Sequence, residues 1–93
     1  MKATRLLDTL VESDSLSKTQ YVFQQDSMGL IPVIDYLVVD GELRLCVDED
    51  VDDELVEATE LISYIQGLGG SLSTVNISYS SIYVEEGKVI FVA

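Results

Sequence analysis

Apolar and polar positions alternate along this chain with two different periods. Leu6, Leu7, Leu10 and Val11 fall on one helical face, which predicts a helix from Ala3 to about Glu12, closed by Asp14, Ser15 and Ser17. Thr19 to Gln24 is rich in aromatic and β-branched residues and reads as a strand. Pro32 lacks an N–H and is expected at a strand start or on an edge. Two β-rich runs from Val33 to Val47 flank Asp40-Gly41, a pair suited to a two-residue turn with positive φ at both positions. That turn places Val39 opposite Glu42, Val38 opposite Leu43, Tyr36 opposite Leu45 and Ile34 opposite Val47. One face then carries Ile34, Tyr36, Val38, Leu43, Leu45 and Val47, and it should cover the core.

Helical spacing returns in the second half. Val51, Leu55, Ala58, Ile62 and Ile65 share a stripe, which predicts a helix capped by Asp50 or Asp52 and ending near Gln66, before Gly67, Gly69 and Gly70. Leu72 to Tyr79 reads as a strand or a pair of short strands. Ser81 to Ala93 reads as a hairpin turning at Glu86-Gly87, with Glu85 opposite Lys88, Val84 opposite Val89, Tyr83 opposite Ile90 and Ile82 opposite Phe91. The expected class is α+β, with two helices and a mostly antiparallel sheet of five or six strands in a single domain, residues 1–93. Ala3-Thr4-Arg5-Leu6-Leu7 matches Ala58-Thr59-Glu60-Leu61-Ile62, and one hairpin matches the other. The simplest account is a duplicated helix–strand–hairpin unit, 3–47 and 58–93.

Charge changes the picture. Seventeen acids face five bases, a formal net charge of -12, although 47% of the residues are hydrophobic. Acidic chains that are poor in apolar residues stay disordered, but this one has the apolar content to fold. Direct binding to nucleic acid or to an anionic membrane is disfavoured, because both depend on basic groups meeting phosphates. No apolar run approaches the roughly 20 residues of a membrane helix. A basic protein surface is the complementary partner. The N-terminus lacks the pattern of a signal peptide, and the lone Cys46 cannot close an internal disulfide, so the cytoplasm is the expected location.

Candidate chemistry is sparse. The chain has no histidine, which removes the usual general base near neutral pH. Asp48, Asp50 and Asp52 open like a calcium loop. Its sixth position, however, is Asp53 where glycine is needed, and its twelfth is Thr59 where a bidentate Glu is needed. No metal, cofactor or catalytic group is therefore expected, and the chain reads as a non-enzyme. The remaining signal is the acidic run itself. Eight of the thirteen residues from Asp48 to Glu60 are acids: Asp48, Glu49, Asp50, Asp52, Asp53, Glu54, Glu57 and Glu60. Asp53, Glu57 and Glu60 fall on one helical face, with Asp50 and Glu54 beside it. Duplex DNA carries one charge per about 1.7 Å of axis, so twelve net charges match about 20 Å of duplex. The run is thus a candidate mimic of nucleic acid for a basic groove, while a solvated, solubilising helix start is the plainer reading.

A second surface is suggested by Tyr83, Ile90 and Val92, apolar residues on the outer face of the second hairpin. Either the two helices cover both faces of the sheet, or this face joins a second copy as a homodimer. The leading ATRLLDTLVES and the closing IYVEEGKVIFVA resemble segments of small acidic accessory proteins encoded by bacteriophages. That resemblance implies a host-interacting protein, an inhibitor acting as a nucleic-acid mimic in the host cytoplasm, and carries over no site residue. The alternative is a structural or assembly module, such as a small homodimeric particle or scaffold component.

The charge leads to a first prediction. Screening of like charges should raise the melting temperature as monovalent salt is added up to about 0.1 M, where the screening length is about 10 Å. A melting temperature that falls over this range contradicts it.

Overall fold

The computed structural model describes residues 2–12, 19–50 and 55–93. The fold is α+β. Helix α1 (Ala3–Glu12) leads to strands β1 (Tyr21–Asp26), β2 (Gly29–Val39) and β3 (Glu42–Val47). Helix α2 (Ala58–Gln66) and a 3-10 turn (Gly69–Thr74) lead to β4 (Asn76–Ile77), β5 (Ser81–Glu85) and β6 (Lys88–Val92). The sheet order is β4-β3-β2-β1-β6-β5. The β1/β2, β2/β3 and β5/β6 contacts are antiparallel, and β1/β6 and β3/β4 are parallel.

This order forces the sheet to curl. β4 and β5 stand at opposite edges, yet only Ser78, Tyr79 and Ser80 separate them. Five strand spacings of about 4.8 Å would put flat edges about 24 Å apart. Four Cα steps, from Ile77 to Ser81, span at most about 14 Å. The run therefore leaves β3 and arrives at β6 across the hollow side of a curved sheet. Ser80 N–H donates to the Val92 carbonyl at 2.9 Å, and the Tyr79 ring meets Phe91 edge-on at 5.2 Å. The Tyr79 hydroxyl donates to Gln24 Oε1 on β1 at 2.7 Å.

The helices fill this hollow. Leu6 and Leu10 of α1 and Leu61, Ile62 and Ile65 of α2 pack with Val22, Val33, Leu43, Ile77, Val89 and Phe91 in one buried cluster. The apolar spacings that predict the two helices are the spacings that bury them.

The contacts of one half recur with the halves exchanged. Ala3 N–H donates to the Val75 carbonyl, and Ala58 N–H donates to that of Gln20. Lys2 bridges to Asn76, and Glu57 bridges to Tyr21. Asn76 N–H donates to the Gly41 carbonyl, and Tyr21 N–H donates to that of Gly87. The first half holds extra residues between Tyr21 and its hairpin, and these make the β1–β2 ladder and its turn.

Both hairpin registers follow the turns. Asp40 and Gly41 sit at φ 52° and 76°, and Gly87 at 70°, the left-handed geometry that such turns need. All four expected pairs of the second hairpin are present, as are Val39/Glu42, Val38/Leu43 and Tyr36/Leu45 of the first. Ile34 does not face Val47, because the register shifts between Val33 and Asp35 and Val33 takes that partner. One extra residue reverses a period of two. Ile31 and Val33 are therefore buried, while Val47 is exposed and Ile34 only half-buried.

Three further expectations are corrected. Pro32 lies within β2, a central strand. Its carbonyl accepts Asp48 N–H just past the end of β3, so its missing N–H falls beyond that ladder. The second helix begins at Ala58 with Glu57 as N-cap, not at Asp50 or Asp52. Val56 is committed to strand-like bonds, donating to the Val33 carbonyl and accepting from Val22 N–H, so no helix can form through it. The segment from Leu72 to Tyr79 is 3-10 turn before it is strand, and β4 is only Asn76–Ile77.

The bulge can be tested by paired truncations. Val33→Ala should cost about 1–3 kcal/mol in urea unfolding. It should cost more than Ile34→Ala, although isoleucine loses more atoms; the opposite order would restore simple alternation.

Candidate functional site

The acidic run is tied to β2 at both ends. Asp48 N–H bonds to Pro32, and Val56 N–H bonds to the adjacent Val33. Adjacent residues of a strand aim their carbonyls to opposite sides, so the run leaves β2 on its β3 side and returns on its β1 side. Within the run Asp48 Oδ1 accepts Asp50 N–H at 2.9 Å, an Asx turn that leaves Glu49 and Asp50 exposed. Glu57 and Glu60 are exposed at the start of α2, where the helix dipole favours them. The structure thus places Asp48, Glu49 and Asp50 in one turn, and Glu57 and Glu60 at a helix start. Asp52, Asp53 and Glu54 lie outside the described residues. Leu55 and Val56 precede α2 and are not helical, so of the expected helical face only Glu57 and Glu60 stand at the helix start.

Glu60 also reaches inward. It lies beside the Tyr36 hydroxyl, whose pKa is raised by burial first and then by the Glu60 charge. The Tyr36 ring meets Tyr64 edge-on at 4.9 Å, and the Tyr64 hydroxyl accepts Val38 N–H at 3.2 Å. Burial likewise raises the pKa of Tyr79, against a lowering hydrogen bond with the Leu45 backbone.

Tyr83, Ile90 and Val92 lie on the sheet face away from the helices. Tyr83 pairs with Ile90, Ile90 with Phe23 and Phe23 with Pro32, an apolar row across four strands. Ile90 is fully buried, although it is not part of the cluster beneath the helices. Tyr83 and Val92 are half-buried. The Tyr83 hydroxyl donates to Gln25 Oε1, and Lys88 Nζ sits 5.8 Å from the Phe23 ring centre. Of the three residues that the sequence suggests for self-association, Ile90 is therefore covered, while Tyr83 and Val92 keep part of their surface exposed.

A cavity of about 340 Å³ opens where the chain passes from β3 to β6, lined by Arg5, Thr9, Tyr79, Ser80, Ser81 and Ile82. Sequence reasoning singles out none of these residues for function, because the α1 face and the β4–β5 connection meet only in the fold. Comparing the two halves position by position is the signal that finds them. Among the described residues, no group of three His, Cys, Asp or Glu side chains is placed to hold a metal ion. Cys46 is exposed on β3. No family model, curated protein or solved structure matches the chain.

The two tyrosines carry a pH dependence. Their folded-state pKa values lie above that of an unfolded tyrosine, about 10, so folding favours the neutral hydroxyls. Their contribution is full below about pH 10 and is lost as pH rises through the folded values. Ultraviolet titration should show tyrosinate forming late, and Tyr79→Phe should remove part of that late component. A titration that Tyr79→Phe leaves unchanged in shape contradicts it.

Proposed function

We propose that the chain is a non-enzymatic acidic binding protein that offers exposed carboxylates to a basic, nucleic-acid-binding surface of another protein, and so acts as an inhibitor of it. One observation carries this reading. Asp8, Glu12, Asp35, Asp40, Glu49, Asp50, Glu57, Glu60, Glu85 and Glu86 are exposed, and among the described residues no carboxylate is ion-paired with a lysine or arginine. Carboxylates left unneutralised at the surface keep their long-range field, and that field accelerates encounter with a cationic groove. The Asx turn at Asp48 and the helix start at Ala58 hold two groups of them on ordered backbone. This costs less entropy on binding than a free acidic tail would. The arrangement differs from a single helical ridge: the charges flank β2 and the α2 N-terminus.

The test is retention of cellular proteins on the immobilised chain. Replacing Glu49, Asp50, Glu57 and Glu60 together by Lys should abolish retention while the circular dichroism spectrum stays unchanged. Added salt and competing duplex DNA should each release the retained protein. Retention indifferent to salt, duplex and charge reversal would reject the proposal.

A further inference from the structure

The exchange of contacts between the halves allows the cavity to be compared with its counterpart. Ala3 and Ala58 hold equivalent places, so Arg5 corresponds to Glu60 and Thr9 to Tyr64. Gly41 and Gly87 are likewise equivalent, so Tyr36 corresponds to Ile82. In the first hairpin the space between helix and strand is occupied by two aromatic rings, Tyr36 and Tyr64, packed edge-on at 4.9 Å. In the second hairpin the same places hold Ile82 and Thr9, and there the cavity of about 340 Å³ opens. The void has a definite cause: a ring is missing from each wall. Its size falls in the range of small-ligand pockets, roughly 300–1,000 Å³.

Its chemistry is also reversed relative to the counterpart. Where Glu60 sits beside the Tyr36 hydroxyl, the cavity has Arg5. Arg5 is one of five bases in a chain of seventeen acids, and no described carboxylate pairs with it. Thr9 Oγ1 donates to the Arg5 carbonyl and Ser80 Oγ to the Val92 carbonyl, so both hydroxyl oxygens keep acceptor capacity. The Tyr79 hydroxyl is engaged with Gln24. Guanidinium binds planar carboxylates in a two-pronged fashion, and the Ile82 side chain supplies an apolar wall.

We propose that this cavity binds a small aromatic carboxylate, its ring taking the place that Tyr64 fills in the other half and its carboxylate meeting Arg5. A hydroxyl on the ring would have Thr9 and Ser80 oxygens to donate to. This site is independent of the exposed acids, and neither reading requires the other.

The experiment is titration of the ¹⁵N-labelled full chain with benzoate, 4-hydroxybenzoate and acetate, followed by amide chemical shifts. Both aromatic acids should shift Thr9, Ser80, Ser81 and Ile82 in a saturable way, and acetate should not. Arg5→Gln, a change at an exposed position, should weaken benzoate about tenfold, the worth of a charge-assisted hydrogen bond. Thr9→Tyr, which rebuilds the missing ring, should abolish binding and raise the melting temperature. Three results would each overturn the proposal: no saturable shift up to about 10 mM benzoate, acetate acting as benzoate does, or Arg5→Gln binding as the parent does. Because Arg5 is exposed, Arg5→Gln keeps the proposal testable even where Thr9→Tyr fails to fold.

Discussion

Three residues between β4 and β5 impose the shape of this molecule. A chain that must serve both edges of a six-stranded sheet, with only Ser78, Tyr79 and Ser80 to cross between them, cannot lie against a flat sheet. The sheet curls, and its hollow becomes the place where two short helices can bury their apolar stripes. Tyr79 makes the crossing specific. Its ring packs on Phe91 of β6, and its hydroxyl bonds Gln24 of β1, so one side chain joins three parts of the curve. Tyr79 and Gln24 hold equivalent places in the two halves, and their bond therefore links like positions.

The remaining features follow from how the halves exchange contacts and where they differ. Each helix starts by giving its first alanine N–H to the residue just before the other half's leading strand. Each leading strand then pairs in parallel with the closing strand of the other half's hairpin. Neither half completes its sheet without a strand of the other. Among the described residues, two differences bear on the surface. Extra residues in the first half form the β1–β2 turn, with exposed Met28 at its tip. Smaller side chains, Thr9 in the first half and Ile82 in the second, leave a cavity beside Arg5. The acidic run joins the halves, and pinning both its ends to β2 holds its flanking carboxylates at the surface.

Local chemistry was legible in the sequence, and long-range pairing was not. Asp40-Gly41 and Glu86-Gly87 announce their hairpins because the backbone geometry they require is intrinsic to those residues. The helical stripes of Leu6 and Leu10, and of Ile62 and Ile65, announce helices for the same local reason. The bulge at Ile34 has no such signature, since it arises where β2 changes partners. The late start of α2 was hidden because Val56 is held by Val22 and Val33, residues far away in sequence. Helical spacing through Val51 and Leu55 looked continuous, and the strand bonds at Val56 interrupt it. The parallel pairings and strand order depend on closure of the whole curve. For the candidate sites, the acids were legible as composition but not as placement. The cavity was invisible, because what defines it is an absent ring rather than a present motif.

A binding reading and a pocket reading draw on different physics here. Unpaired surface carboxylates act at a distance and confer charge complementarity, whereas the cavity beside α1 acts by contact and shape. The pocket reading presupposes the curled sheet, since the cavity lies where the chain crosses the hollow. Nuclear Overhauser contacts of the Tyr79 ring measure that curl most directly. The account predicts cross-peaks from this one ring to Phe91, to Gln24 and to Leu45, on three different strands. Contacts confined to Leu45 and its β3 neighbours would mean that the chain does not cross the hollow, and the fold as argued would fall.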